Sequence, residues 1–141
     1  MYFAIIDASS DISRLTTVAY GDTVAEIALW FAEEFRDNYE MYANSDESIA
    51  HEEVLSQCEE LCELARNDGL DISDIEGLSF TVDDIDVSVV GAYESYEDFR
   101  EGFLAFIDDK PKYKKIVPEE YTDDEANECD RINTLLVRAS I

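Results

Sequence analysis

Thirty-five acidic residues against ten basic ones leave this 141-residue chain with a formal charge of −25. No other feature limits its folds as much, because like charges on a compact surface repel and oppose compaction. Such a chain folds only with enough apolar material to offset the repulsion. Here 46% of residues are hydrophobic and 11% aromatic, enough for a substantial core and unlike a disordered acidic chain. The length fits a single domain covering residues 1–141. Charge sign disfavours direct contact with nucleic acid or with an anionic membrane. No apolar run approaches the roughly 18 residues needed to cross a bilayer. The start, Met1-Tyr2-Phe3-Ala4-Ile5-Ile6-Asp7, lacks the basic segment of a secretion signal, so the expected compartment is the cytoplasm.

The distribution of the charge decides its meaning. Size scaling gives a folded chain of 16.0 kDa roughly 7,400 Å² of surface, or about 300 Å² per net charge if spread evenly. The cylinder of duplex DNA offers about 100 Å² per charge. Even spreading is therefore about three times too dilute to resemble DNA, whereas carboxylates gathered on one half approach its density. An acidic surface kept for solubility, or adapted to salt, would place acids all round. A surface that stands in for nucleic acid requires them on one side.

The periodicities predict an α+β fold, a small antiparallel sheet packed with about four helices. Tyr2 to Asp7 reads as a buried strand and Arg14 to Tyr20 as a second. Thr23-Val24-Ala25-Glu26 has the form of a capping box and opens a helix to about Ala43. A second helix runs from about Ser48 to Asn67, with Gly69 as its expected C-terminal stop. Leu78 to Val82 and Ile85 to Val89 alternate with period two around Asp83-Asp84, a hairpin pattern. A third helix follows from Ser95 to about Asp108, and Tyr113 to Val117 is a loop or short strand between prolines. Thr122-Asp123-Asp124-Glu125 is expected to cap a final helix to about Arg138.

On the second helix, Ala50, Val54, Leu55, Cys58, Leu61, Cys62 and Ala65 share one arc. Glu52, Glu53, Glu59, Glu60 and Glu63 crowd an opposite arc of about 120°. Acids four apart lie about 6 Å apart along the axis, the scale of successive phosphates, and repel one another. On the first helix Val24, Ile27, Ala28, Phe31, Phe35, Tyr39 and Tyr42 form the apolar stripe, while Glu26, Glu33, Glu34, Asp37 and Glu40 form the acidic side. Trp30 falls among those acids. It is either a contact anchor on a binding face or a side chain covered by another element of the same domain. All four lysines, Lys110, Lys112, Lys114 and Lys115, sit in one short stretch, expected to pair with the chain's own acids rather than with an acidic part of a partner.

Motifs for catalysis are missing. There is no P-loop, G-x-G-x-x-G, H-E-x-x-H or G-x-S-x-G, and His51 is the single histidine, so no enzyme is expected. His51 and Cys58 are about 10 Å apart along the helix, too far to share a zinc. Cys58 and Cys62 would need Cys129 and a further ligand brought in by the fold; free thiols, with no metal and no cofactor, are the expectation.

In composition and in its rows of helical acids, such as Glu52, Glu53, Glu59, Glu60 and Glu63, the chain resembles the small acidic inhibitors of phages and mobile elements, the anti-CRISPR and antirestriction proteins. That resemblance is of class and rests on no diagnostic motif. It implies a stoichiometric blocker in the host cytoplasm that mimics nucleic acid. Its partner would be a basic nucleic-acid-binding protein or ribonucleoprotein of a host defence system. Trp30, Glu33, Glu34, Asp37, Glu40, Glu52, Glu53, Glu59, Glu60 and Glu63 are the candidate partner-binding residues, the acids as phosphate surrogates. A symmetric homodimer would extend such a surface. The alternative is an immunity protein or antitoxin that neutralises a cationic toxin.

Overall fold

A computed structural model describes residues 1–9, 14–42, 48–67, 69–82, 85–119 and 124–140. The side chains of 37–42, 48–51, 54, 82 and 140 lie outside that description. Strands β1 (Tyr2–Ser9) and β2 (Arg14–Gly21) lead into helices α1 (Val24–Tyr42), α2 (Ser48–Arg66) and the short α3 (Ile72–Ile75). Strands β3 (Ser79–Val82) and β4 (Ile85–Tyr93) follow, then α4 (Tyr96–Ile107) and α5 (Glu125–Ser140). The sheet has the order β2-β1-β4-β3, with every neighbouring pair antiparallel. The α+β class is therefore as expected, with one short helix more.

Helices cover both faces of this sheet. β1 sits in the middle, and its alternate side chains go to separate cores. Ala4, Ile6 and Ala8 meet Ile27, Phe31 and Phe35 of α1, Cys58 and Leu61 of α2, and Ile75 of α3. Phe3 and Ile5 meet Phe99 and Phe103 of α4 and Cys129, Ile132 and Leu136 of α5. Burial on both sides explains why the first strand reads as a continuous apolar run rather than an alternating one. Phe3 stacks on Phe99 with ring centroids 5.3 Å apart, while Phe80 of β3 meets Phe31 and Phe35 edge-on at 5.1 and 5.3 Å.

Several boundaries differ from expectation. β4 runs on to Tyr93, past the expected end at Val89, because a bulge intervenes: Ile6 pairs with Val89 but Ile5 with Gly91. The extra residue switches the facing of the strand, so the period-two pattern ends at Val89 although the strand does not. Tyr93 then lies over Gly91 and Gly102, where a Cβ would come within 2.3 and 2.0 Å of its hydroxyl. Of the two readings of Tyr113 to Val117, the loop is the one found, with Tyr113 and Ile116 buried. Among the described glycines it is Gly77 (φ 82°), after α3, that takes the left-handed conformation, rather than Gly69.

Caps follow the sequence closely. The Glu26 N–H donates to Thr23 Oγ1 (3.2 Å), and Glu26 Oε2 accepts from the Thr23 N–H (3.2 Å) and from the Asp22 N–H. Ser95 accepts from the Asp98 N–H (3.2 Å). For α5 the cap is Asp124, which accepts from the Asn127 N–H (3.2 Å). The expected cap Thr122, like the hairpin turn Asp83-Asp84, lies outside the described residues.

Candidate functional site

The sheet divides the charge of this chain. Between Asp22 and Glu76, the stretch that supplies α1, α2 and α3 to one face, there are seventeen acidic residues and two arginines. From Glu94 to the end, the stretch that supplies α4 and α5 to the other face, thirteen acids stand with seven basic residues. The total surface is 8125 Å², about 325 Å² per net charge, so even spreading would leave it dilute. One layer is instead almost free of bases.

On α2, Glu52, Glu53, Glu59, Glu60 and Glu63 are all exposed, while Cys58, Leu61 and Ala65 are buried. Leu55, expected on the apolar arc, is 39% exposed. On α1, Glu33 is exposed and 3.9 Å from Arg36, and Glu34 is half-buried and accepts from the Thr17 hydroxyl of β2 (3.4 Å). Asp37 and Glu40 lie on α1, with side chains outside the described residues. Trp30 is half-buried against Tyr20 of β2, ring centroids 5.0 Å apart, so another element of the domain covers one side of it.

These positions do not form one patch. Trp30 and Glu34 point to the β2 side of α1, whereas α2 packs on the other flank, where the Cys58 thiol donates to the Ala32 carbonyl (3.4 Å). The structure therefore brings the α2 acids together as one exposed row and leaves Trp30 and Glu34 at the opposite margin of the layer. Leu64, which the helical wheel alone did not single out, stands among the α2 acids at 53% exposure. Its signal in the sequence is an apolar residue four positions after Glu60, outside the apolar arc.

The opposite layer uses three of its seven bases, Arg100, Lys110 and Arg131, internally. Glu128, only 5% exposed, accepts from Arg131 Nε (2.9 Å) and from the Glu119 N–H (3.1 Å). Burial would raise the Glu128 carboxyl, but these hydrogen bonds outweigh it and hold the group below the usual carboxylate range. Arg131 also donates to the Val117 carbonyl (2.6 Å) and Arg100 to the Pro118 carbonyl (3.3 Å), which together pin the segment before α5. Lys110 donates to the Phe106 carbonyl (3.0 Å), lies over the Phe106 ring and sits 3.5 Å from Asp109. Lys112, Lys114 and Lys115 are exposed and, among the described residues, make no ion pair.

Cys58 and Cys129 occupy the two different cores, so Cys129 cannot join Cys58 and Cys62 around one metal. Burial pushes the Cys58 thiol up to about 11 and the Cys129 thiol up to about 12, which keeps both protonated. Among the described residues no three His, Cys, Asp or Glu side chains form a metal-binding group, and no helix is long and apolar enough to cross a membrane. Comparison with protein-family models, with curated proteins and with solved structures found no match to this chain.

Proposed function

We propose that this protein is a stoichiometric inhibitor whose acidic layer takes the place of nucleic acid in the basic DNA- or RNA-binding channel of a host defence nuclease complex. The observation that carries the reading is the division of charge by the sheet, with the exposed α2 row at its centre. A surface acidic for solubility alone has no reason to keep its bases on one side. A channel lined with lysine and arginine gains affinity for nucleic acid largely by counterion release, and fixed carboxylates offer its cations the same sign of charge without a flexible chain to order. Long-range attraction speeds the encounter, and affinity falls with salt.

The test is capture from a host lysate at low salt, followed by a salt step and by competition with nucleic acid. The expected result is one nuclease or nucleic-acid-binding complex, released by moderate salt and displaced by its own DNA or RNA. A small basic toxin in its place would establish the antitoxin alternative. A broad set of basic proteins, none displaced by nucleic acid, would show that the acidity is a general surface property.

A further inference from the structure

The two edges of the sheet are finished differently. At the β2 edge, Asn133 of α5 accepts from the Val18 N–H (2.8 Å) and donates to the Val18 carbonyl (2.9 Å). Its side-chain amide thus takes the place that the peptide group of a neighbouring strand would occupy, and the edge is closed there. At the other end of the sheet, β3 pairs with β4 on one side and, among the described residues, with no strand on the other. The register fixes which of its groups face outward. The Val89 N–H donates to the Leu78 carbonyl (2.8 Å). Because antiparallel bonding alternates, Leu78, Phe80 and Val82 turn their backbone groups to β4, and Ser79 and Thr81 turn theirs to the open edge. The hydroxyls of Ser79 and Thr81 are used on Asp86 (3.1 and 2.9 Å), which holds the strand in this register.

Beside this edge α2 and β3 enclose a groove of about 430 Å³. Leu61, Leu78 and Phe80 line it, Leu64 stands in its wall, and Glu60 and Glu63 lie on its rim. We propose that the β3 edge and this groove take a short extended segment of a partner protein by strand addition, one that carries an apolar side chain with lysine or arginine two positions to either side. The outward N–H and C=O groups of Ser79 and Thr81 bond the main chain of the segment. Its alternate side chains then point toward α2, where one apolar group fits between Leu64 and Phe80 and the basic groups two positions to either side, on the same face, meet Glu60 and Glu63. Charge selects the sign of the segment, since among the described residues no basic side chain lines the groove. β3 is four residues long, about 13 Å, so the bonded stretch is short and its affinity modest. The inference is independent of nucleic-acid mimicry and holds for any partner that presents such a segment.

The experiment titrates the isotope-labelled full chain with the eight-residue peptide Ser-Lys-Thr-Val-Thr-Lys-Thr-Ser, whose valine and two lysines share one face of the extended strand. The largest amide shifts are expected at Ser79, Thr81 and Leu64, with slowed hydrogen exchange at Ser79 and Thr81. Of two peptide versions N-methylated at alternate residues, one loses at least tenfold in affinity and the other keeps it, because only one set of amides faces β3. Thr81→Pro, which deletes an outward N–H and spares the ladder to β4, weakens binding at least tenfold, as does Leu64→Lys on its exposed position. Glu97→Lys on α4 changes it less than twofold. Equal binding of both methylated peptides and the parent, or losses from Glu97→Lys as large as from Leu64→Lys, would overturn the proposal. If Thr81→Pro unfolds the domain, the methylated peptides on the unaltered protein decide alone.

Discussion

α1 and α2 cover one face of the sheet from a stretch of chain holding seventeen acids and two arginines, whereas α4 and α5 cover the other from one holding thirteen acids and seven bases. In the α4/α5 layer three of the seven bases bind the chain to itself: Arg131 holds Glu128 and Val117, Arg100 holds Pro118, and Lys110 closes the end of α4. In the α1/α2 layer, Glu52, Glu59, Glu60 and Glu63 are exposed and, among the described residues, make no ion pair. Acids that help to hold one layer together are, on the other, a cost in repulsion with no internal return. The difference separates charge that serves folding from charge free to serve a partner.

The largest effects should show that the two layers differ in surface and not in dependence on a common core. Phe31→Ala and Phe99→Ala each remove a fully buried ring, one per layer, and each should cost about 3–5 kcal/mol in chemical denaturation. Because β1 is buried on both sides, either variant should still unfold in one transition; two transitions would mean that the layers fold separately. Asn133→Leu leaves the Val18 N–H and carbonyl without their partner and should cost about 2 kcal/mol.

Glu128→Gln probes the internal use of charge and should cost about 1–2 kcal/mol at neutral pH. The Glu128 carboxyl is lowered in the folded state, so its contribution is complete above the ordinary glutamate value of about 4.3 and is lost as pH falls through the lowered one. The gap in stability between the unaltered protein and the variant should therefore close on acidification; a gap that widened would contradict the assignment. The smallest effect belongs to the acidic layer. Glu59→Lys with Glu63 retained turns a repelling pair four apart into an attracting one and should raise stability by a few tenths of a kcal/mol.

Much of this fold is legible in the sequence because its signals are local. The apolar stripe of α1, the acidic arc of α2 and the Thr23/Glu26 box each lie within a few turns of helix. The end of β4 is not legible, since the bulge between Val89 and Gly91 breaks the alternation on which strand reading depends. Neither is α3, a single turn of four residues. The closure of the β2 edge by Asn133 joins positions 115 residues apart, and no local pattern announces it. The candidate acids were identifiable on their helices, but their separation, with Glu34 and Trp30 over β2 and Glu60 and Glu63 beside β3, follows from the strand order. The sorting of bases into one layer depends on that order as well.

The central claim is that the acidic layer, rather than acidity in general, meets the partner. It is tested most directly by reversing equal numbers of charges on the two layers and measuring affinity for the captured nuclease complex across a salt series. Glu52→Lys, Glu59→Lys and Glu63→Lys combined on α2 should weaken binding at least a hundredfold and flatten its salt dependence. Glu97→Lys, Asp98→Lys and Glu101→Lys combined on α4 should leave affinity within a fewfold. Equal losses from the two sets would contradict the account.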